Sequence, residues 1–471
     1  MKKPREIFDR DAEWAALSRF ARSPGTHGQL GLVYGRRRQG KSWLLERVAE
    51  RARGRYWEAI EGTARQQLDH LARALSGWKK LPAAPVFATW AEALDALWKA
   101  SPRLLVLDEF QYLLDSSPEL PSLLQARVSR RTGPRVILCG SALGAMRSLL
   151  AADAPLRGRA SLELVVRPFD YRIAARYWRL GSDLSRALRL HALLGGTPAY
   201  LDFTGGRTPA EYPRLDDWIA DVLLDPAGAL FREGRILTDE RTLVDRGLYH
   251  GILAAVAGGA TRRGQIASVV GRPDNTMAHA LGSLVDLGLL ERLADPLHGR
   301  RSCFRLAEPL LRTYETLIAP NERALERRGA RRLWRALVPV LSSQIFGPHF
   351  EHLAREWVQG HASEASLGGT PKAVGPSTVS DPAAQKEREL DVVATEGSRV
   401  IAIGEAKWSG SALGRGVLAE LERKRSLLGP RASTARLLLF GSSGFERGLA
   451  ALARGRDDVV LVDLRRLYLG D

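Results

Sequence analysis

The residues with the clearest chemistry lie near the start of the chain, in the segment from Gly35 to Ser42. The segment fits the pattern G-x-x-x-x-G-K-[ST]. Gly35 and Gly40 let the backbone turn tightly, so that consecutive N–H groups can point at phosphate oxygens. Lys41 can reach the β and γ phosphates, and the Ser42 hydroxyl can ligate Mg²⁺. The segment therefore predicts a binding site for a nucleoside triphosphate, ATP, together with Mg²⁺.

A second signal is the apolar run from Leu104 to Leu107, which ends in Asp108 and Glu109. We expect a strand that is buried on both faces and lies beside the phosphate-binding loop. At its C-terminal tip Asp108 would hold Mg²⁺ through water, and Glu109 would orient or deprotonate the attacking water. Because this pattern is independent of the first, the two together predict ATP hydrolysis as well as binding.

Three further side chains have weaker support, and each has an ordinary structural alternative. Ser141 ends the next apolar strand, where a polar group could sense the γ-phosphate or simply mark the start of a loop. Arg157 and Arg159 could supply positive charge to the transition state, in cis or from a neighbouring subunit. A homo-oligomer therefore stays open. The alternative for both arginines is a solvated basic loop.

The candidate ATP-site residues lie in a region of alternating strands and helices, which a mostly helical region follows. Up to about residue 201, short apolar strands alternate with helical patterns, as in a βαβ domain. The stretch 171–246 is mostly helical, and 248–307 has the order helix, helix, helix, hairpin, which is typical of a winged helix. We therefore predict an ATPase domain at residues 1–205, and a helical lid continuation with a winged helix at residues 206–320.

The winged-helix pattern makes a specific prediction about DNA. Asn275, Thr276 and His279 of its third helix would face the major groove. Arg300 and Arg301, at the tip of the hairpin, would contact phosphate. The alternative is a winged helix used only for packing.

A second candidate site lies in residues 321–471, predicted to be a third domain. Asp391 opens an apolar strand, and Glu405 and Lys407 end the next one, two residues apart and so on the same face. Glu351 lies on an amphipathic helix that precedes them. With Glu351, Asp391 and Glu405 as metal ligands, a divalent ion could activate water while Lys407 adds positive charge. This is the logic of the PD-(D/E)XK phosphodiesterases, although Leu390 replaces their proline.

The composition sets the class of protein. The formal net charge is 70 − 53 = +17, which favours contact with phosphate groups, in nucleic acid or nucleotide, but also fits a solvated surface rich in arginine. Cys139 and Cys303 show no metal or disulfide spacing, which fits a reducing cytosol. Since no apolar run approaches the length of a membrane span, we expect a cytoplasmic protein with DNA as partner and no membrane contact.

The order of these motifs resembles that of the archaeal-type P-loop ATPases, which are related to the AAA and STAND groups and often carry a C-terminal domain of restriction-endonuclease-like fold. The residues that carry the resemblance, besides those above, are Phe8-Asp-Arg10 with Glu13, Asp108-Glu-Phe-Gln111, Gly140-Ser141, Pro155-Leu-Arg-Gly-Arg159, Gly195-Gly-Thr-Pro-Ala-Tyr-Leu201, Phe304-Arg-Leu-Ala-Glu-Pro309, Phe346-Gly-Pro-His-Phe-Glu351, Glu389-Leu-Asp391 and Gly404-Glu-Ala-Lys407. The resemblance implies an α/β fold with a parallel P-loop NTPase sheet, a helical lid, a winged helix and a nuclease-like α/β domain.

The resemblance leaves the output of the chain open. One hypothesis is an ATP-driven switch coupled to metal-dependent DNA cleavage. A second is an ATP-regulated DNA- or protein-binding regulator with a non-catalytic nuclease-like scaffold. A third is a chaperone-like ATPase whose basic surface is incidental. The first strand of the nuclease core would fall in 361–384, a stretch rich in Gly, Ser, Thr, Pro and Ala that predicts a flexible loop instead.

Overall fold

Two compact units make up the chain. The computed structural model describes residues 1–23, 29–100, 102–129, 133–238, 245–299, 301–327 and 329–471. The units are Met1–Pro168 and Phe169–Asp471. The boundaries predicted after residues 205 and 320 both fall inside the second unit. No described helix has the length and apolar character that crossing a membrane requires.

The first unit is a parallel sheet with helices on both faces. Its elements are α1 Asp11–Arg22, β1 Leu30–Tyr34, α2 Lys41–Ala52, β2 Arg55–Glu58, α3 Ala64–Lys79, α4 Trp90–Ala100, β3 Leu104–Asp108, α5 Gln111–Ser116, α6 Leu120–Val128, β4 Arg135–Gly140, α7 Leu143–Ser148 and β5 Ala160–Val165. The five strands run in the order β2-β3-β4-β1-β5 and every neighbouring pair is parallel.

Strand β3 shows why this sheet forms from these residues. Leu105 and Leu107 pack into the hydrophobic cluster on one face, and Leu104 and Val106 pack into the cluster on the other. A strand buried on both faces needs a continuous apolar run, as predicted. The C-terminal tip of β3 reaches the phosphate-binding loop, where the charge of Asp108 acts on Lys41, although β4 separates β3 from β1 in the sheet. An apolar run specifies burial but carries no information about which strand is its neighbour.

The second unit contains the remaining elements. They are α8 Tyr171–Tyr177, α9 Leu184–Leu194, α10 Tyr200–Phe203, α11 Leu215–Trp218, α12 Ala229–Thr238, α13 Arg246–Ala257, α14 Arg263–Val270, α15 Met277–Asp286, β6 Leu290–Ala294, β7 Ser302–Leu306, α16 Pro309–Thr313, α17 Glu322–Glu326, α18 Ala330–Leu341, α19 Gly347–Gly360, α20 Glu364–Leu367, β8 Ala373–Asp381, β9 Lys386–Glu396, β10 Arg399–Lys407, α21 Arg415–Leu427, β11 Arg436–Gly441, α22 Arg447–Arg454, β12 Val459–Asp463 and α23 Leu464–Leu469.

Helices α13, α14 and α15 and the antiparallel hairpin β6–β7 follow the predicted order of three helices and a hairpin. Met277, Leu281 and Leu284 of α15 are buried, as their spacing predicts. The hairpin packs against the C-terminal sheet, since the buried Asp295 beyond β6 accepts a hydrogen bond of 2.6 Å from Ser377 of β8.

The C-terminal sheet is mixed, with the strand order β12-β11-β10-β9-β8. Strands β8, β9 and β10 are antiparallel, whereas β10, β11 and β12 are parallel. The predicted flexible loop at 361–384 is wrong, because this stretch contains helix α20 and strand β8. β8 pairs with β9 from Ala373–Thr395 to Asp381–Lys386. The small and polar residues of β8 do not form the side-chain pattern that identifies a strand in a sequence. The strand forms because its backbone is hydrogen-bonded to β9.

One hydrophobic core is shared by early and late elements of residues 169–471. Leu193 of α9 and Phe350 and Trp357 of α19 belong to one hydrophobic cluster, although more than 150 positions separate α9 from α19 in the chain. The Tyr171 hydroxyl also donates a hydrogen bond of 2.8 Å to the Leu467 carbonyl. The early helices of this unit are therefore packed directly on its C-terminal elements.

Two buried histidines join α9 to α19 and make stability depend on pH. The Nδ1 atom of His191 lies 2.9 Å from Nε2 of His349, within hydrogen-bond distance. Burial lowers the pKa of His191 to about 4 and holds the pKa of His349 well below its usual value. Below pH ~6.5 the unfolded chain therefore binds more protons than the folded chain.

We expect the free energy of unfolding to fall as the pH drops from about 6.5 towards 4, by up to about 1.4 kcal/mol per pH unit for each histidine. Urea unfolding at several pH values measures this slope. The double variant His191→Gln/His349→Gln is the control and should show a shallower slope across the same window. An equal slope in the double variant would contradict the assignment to this pair.

Candidate functional site

The phosphate-binding loop joins β1 to α2 at the C-terminal edge of the first sheet. A Cβ atom at Gly35 would lie 2.2 Å from the Val166 carbonyl oxygen, so no side chain fits there. Gly40 has φ 78°, a conformation that favours glycine. Lys41 is buried, and its Nζ donates a hydrogen bond of 2.8 Å to the Arg36 carbonyl. The loop therefore has the tight backbone that the motif requires.

Lys41 lies in the field of two acids. Burial lowers its pKa, while the negative charges of Glu109 and Asp108 act in the opposite direction. These three groups were predicted from two separate motifs, and the fold brings them to one edge of the sheet. A phosphate group bound at the loop would add the negative charge that a buried ammonium lacks.

Asp108 ends β3 and is almost completely buried. Its Oδ1 accepts a hydrogen bond of 2.8 Å from the Glu109 backbone N–H, and its Oδ2 accepts one of 2.6 Å from the Tyr56 hydroxyl. The Ser42 side chain acts on the same hydroxyl, where it opposes the rise in the pKa of Tyr56. Ser42 and Asp108, the two predicted Mg²⁺ ligands, therefore flank one polar position, and their oxygen donors are those that Mg²⁺ prefers.

Glu109 has φ 49°, a left-handed backbone conformation that is uncommon for residues other than glycine. Its Oε2 accepts a hydrogen bond of 3.2 Å from the Ser141 hydroxyl and another from the Gln111 side-chain amide. The Gln111 amide also donates to Ser141 Oγ at 3.2 Å. Ser141 directly follows β4, the strand next to β3. The intervening strand thus carries its polar residue directly to the predicted catalytic acid.

The two predicted arginines lie elsewhere in the first unit. Arg157 and Arg159 are exposed on the turn that precedes β5. The Arg157 guanidinium donates a hydrogen bond of 2.7 Å to the Ala152 carbonyl. The structure thus groups Glu109 with Ser141 but leaves these arginines on the surface, and their role in ATP hydrolysis stays a prediction.

Tyr56 and Gln111 are functional candidates that the sequence motifs missed. Tyr56 lies on β2, whose pattern carries no signal beyond a short strand. Burial, followed by the charge of Asp108, raises its pKa. Gln111 stands two residues after Glu109, in a segment that carries the family resemblance but implies no role for this side chain. Only the hydrogen bonds to Asp108, Glu109 and Ser141 identify these two side chains.

The C-terminal candidate residues meet on β9, β10 and α19. Glu405 and Lys407 are two residues apart on β10, which pairs with β9, and therefore lie on one face. The Lys407 Nζ atom is 2.6 Å from Glu405 Oε1. A second lysine, Lys424 of α21, is buried and lies 2.6 Å from Glu405 Oε2. No sequence pattern points to Lys424, because it lies 17 residues beyond the Glu-x-Lys motif. Both oxygens of Glu405 are therefore engaged by ammonium groups.

Glu351 and Asp391 are less well neutralised. Burial and the charge of Asp391 raise the pKa of Glu351 to about 7. Burial and the charge of Glu405 raise the pKa of Asp391, although its Oδ2 accepts a hydrogen bond of 2.8 Å from the Ala406 backbone. Within the described ranges, no three His, Cys, Asp or Glu side chains form a group that could hold a metal ion. Glu351 and Asp391 nevertheless repel each other, and a cation would relieve that repulsion.

The predicted DNA-contacting residues divide into two groups. Asn275 and Thr276 lie in the short turn before α15 and His279 lies in its first turn, and all three are exposed. Arg301 lies 3.3 Å from Glu387 of β9, and Arg262 pairs with the same carboxylate at 3.3 Å. Arg301 is thus engaged by a carboxylate of the C-terminal sheet, and its contact with phosphate stays a prediction. Arg300 lies outside the described residues.

Comparisons with known proteins bear on the first unit most directly. Residues 7–201 match a family model described as an ATPase domain predominantly from archaea. These residues are therefore similar to archaeal-type ATPase domains. A Walker-type ATPase of Pyrococcus abyssi aligns with a TM-score of 0.51 and 21% identity, over 67% of this chain and 97% of that one. This likeness shows a shared fold. The motifs at Lys41 and Asp108 therefore lie in a domain of the class that their spacing predicted.

Other matches extend beyond the ATPase domain. Residues 314–420 match a family described as archaeal and bacterial proteins of unknown function. An uncharacterised protein of Methanocaldococcus jannaschii is 23% identical over 329 residues, which are 68% of this chain and 70% of the relative. The ORC2 protein of Aeropyrum pernix, solved in ADPNP–ADP complexes, aligns with a TM-score of 0.45 and 18% identity over 71% of this chain and 96% of that one.

Proposed function

We propose that the protein is an ATP-hydrolysing switch that controls nucleic-acid contacts made by its second unit. The observation that carries this proposal is the convergence of Lys41, Asp108 and Glu109 at the C-terminal edge of the parallel sheet. Ligands of open α/β sheets bind at this edge. Acids alone would repel a triphosphate, and a lysine alone would bind it without activating water. The combination is the one that hydrolysis needs.

Each side chain has a distinct role in the proposed reaction. The loop N–H groups and Lys41 bind the phosphates. Ser42 and Asp108 would hold Mg²⁺, and the bound ion would offset the negative charge that develops on the phosphates during hydrolysis. Glu109 accepts a proton from the attacking water or orients it. Ser141 and Gln111 hold the Glu109 carboxylate through hydrogen bonds. Tyr56 orients Asp108.

For the second unit we propose a winged helix at residues 248–307 that contacts DNA. The exposed polar residues at the start of α15 support this, since they offer hydrogen-bonding groups that no packing role requires. The hairpin contributes to the fold of the unit instead, because Arg301 is paired with Glu387. The proposed contact therefore rests on α15.

For residues 321–471 we propose a restriction-endonuclease-like domain. The element order α19-α20-β8-β9-β10-α21-β11, with three antiparallel strands followed by a parallel one, supports it. Strand β8 supplies the first strand of such a core. Glu351 and Asp391 would hold a divalent cation, which would supply Lewis-acid activation of water when bound. Lys407 would add positive charge beside the scissile phosphate.

We expect Asp391→Asn to abolish Mg²⁺- or Mn²⁺-dependent nicking of DNA by the purified protein while leaving ATP turnover unchanged. The asparagine keeps the size of the side chain but removes a charge that a cation needs. Nicking of supercoiled plasmid and phosphate release from ATP are measured side by side on the wild type, Asp391→Asn and Lys41→Ala. Nicking that survives in Asp391→Asn would contradict the nuclease assignment.

A second candidate function is binding without cleavage. The two lysines at Glu405 favour it, because they compete with a metal ion for both carboxylate oxygens. In that case the wild type binds DNA but nicks it with neither metal, and Asp391→Asn binds DNA as tightly as the wild type. The same assays therefore separate a nuclease from a regulator that retains the scaffold.

A further inference from the structure

Two adjoining grooves line the edge of the first sheet that is opposite the ATP site. Their volumes are about 370 and 470 Å³. They share Arg53 and Arg103, so they form one continuous track. The positively charged residues that line them are Arg22, Arg51, Arg53, Arg55, Lys79, Arg103 and Arg135, and no acidic residue lines either groove. We call this track the basic grooves.

The basic grooves cannot serve the ATP phosphates. Arg55 begins β2, Arg103 precedes β3 and Arg135 begins β4, whereas Gly35 and Asp108 lie at or beyond the opposite ends of their strands. In a parallel sheet all strand starts lie at one edge and all strand ends at the other. The grooves are therefore separated from the ATP site by the full length of the strands.

The positive charge of the grooves is not balanced within the unit. Across the described ranges, none of the seven lining cations is ion-paired with a carboxylate, whereas Arg47 and Arg127 in the same unit are paired. Arg22 and Arg51 lie in the last turns of α1 and α2, where they stabilise the helix ends. That role does not extend to Arg103 and the other cations at strand starts. Like charges gathered without counter-charges attract a polyanion.

One aromatic residue narrows the class of polyanion. Trp78 of α3 is half-buried in the wall of the first groove, with the Arg55 guanidinium carbon 5.9 Å from the centre of its ring. Aromatic rings beside arginines are the surfaces on which unpaired bases stack. An acidic peptide would use the cations but not the ring. A protein surface that binds lipid would carry protruding apolar side chains. None of the exposed large apolar residues among those described lines either groove.

We propose that the basic grooves bind single-stranded nucleic acid, with Arg53 and Arg103 contacting successive phosphates and Trp78 stacking on a base. This contact depends neither on ATP hydrolysis nor on the proposed contact at α15. It places nucleic acid on the ATPase unit itself, where bound strand and ATP can influence each other through the same sheet.

The test measures binding of a fluorescently labelled single-stranded oligonucleotide by anisotropy, without ATP, over a series of salt concentrations. For Arg53→Gln/Arg103→Gln we expect the slope of log K against log salt to become shallower by about 1.4, since each lost phosphate contact on a single strand removes about 0.7. Trp78→Leu should weaken binding at least about fivefold with little change of slope.

The matched control is Arg332→Gln/Arg335→Gln, which removes two exposed positive charges from α18 of the second unit. An equal loss in this control would overturn the proposal, because it would reveal attraction by net charge alone. An unchanged slope in Arg53→Gln/Arg103→Gln would also overturn it. Binding of polyglutamate, anionic vesicles or duplex that depends on the arginines while the single strand does not would assign the grooves to another partner. Loss of ATPase activity in Lys41→Ala leaves each of these outcomes unaffected.

Discussion

Replacing Lys41 by alanine is expected to lower the rate of ATP hydrolysis by about a hundredfold or more. The ammonium is buried in a loop whose backbone conformation is set by Gly35 and Gly40, so its position is fixed before the nucleotide arrives. A preorganised charge stabilises the charge that develops on the transferred phosphate without reorganisation. Alanine removes that charge and leaves a cavity that water fills with weaker, mobile dipoles.

The control for Lys41 lies in the same loop. Arg37 is exposed, and its guanidinium lies 3.3 Å from the Tyr112 hydroxyl. Arg37→Ala also removes one positive charge near the site, and we expect it to change ATP turnover by less than about threefold because an exposed charge is screened by water and salt. Phosphate release measured at saturating ATP distinguishes the two. Hydrolysis at the wild-type rate in Lys41→Ala would reject the assignment of the loop.

The elements that could be predicted from the sequence are those that residues close together in the chain specify. The phosphate-binding loop, the buried strand before Asp108 and the three helices before the β6–β7 hairpin all have spacings that depend on near neighbours in the chain. The order of the strands in the sheet does not follow from near neighbours in the chain. Strands β3 and β4 are both continuous apolar runs, and either could lie next to β1. The prediction of a loop in place of β8 was wrong because β8 has no strand pattern of its own and forms by pairing with the distant residues of β9.

The same distinction applies to the sites. Lys41, Asp108 and Glu109 could be found because each belongs to a motif of fixed spacing. Tyr56 reaches Asp108 only because β2 lies beside β3, and Lys424 reaches Glu405 only because α21 packs on β10. Partners of this kind depend on tertiary contacts between distant residues. The basic grooves are a third case, since their cations are scattered through the sequence and meet only at the starting edge of the sheet.

The second large effect is expected at Glu109. Glu109→Gln should reduce hydrolysis by about a hundredfold to ten-thousandfold, the contribution typical of a positioned general base. The glutamine oxygen can still accept the hydrogen bonds from Ser141 and Gln111, so the left-handed turn at residue 109 keeps its side-chain partners. What the amide cannot do is accept a proton from water. The variant should therefore bind ATP as tightly as the wild type, because Lys41 and Asp108 are unchanged.

Binding and turnover must be measured on the same sample, with a fluorescent ATP analogue for affinity and phosphate release for rate. Glu50→Gln is the matched control, since it removes a carboxylate from the exposed side of α2 and should leave both quantities unchanged. Comparison with Lys41→Ala then separates the two halves of the site. If Glu109→Gln lost affinity as well as turnover, the acid would be holding the loop together and the attacking water would need another base. If it kept full turnover, Glu109 would be bound by Ser141 and Gln111 for structural reasons alone, and the ATPase assignment would rest on Lys41 and Asp108 without it.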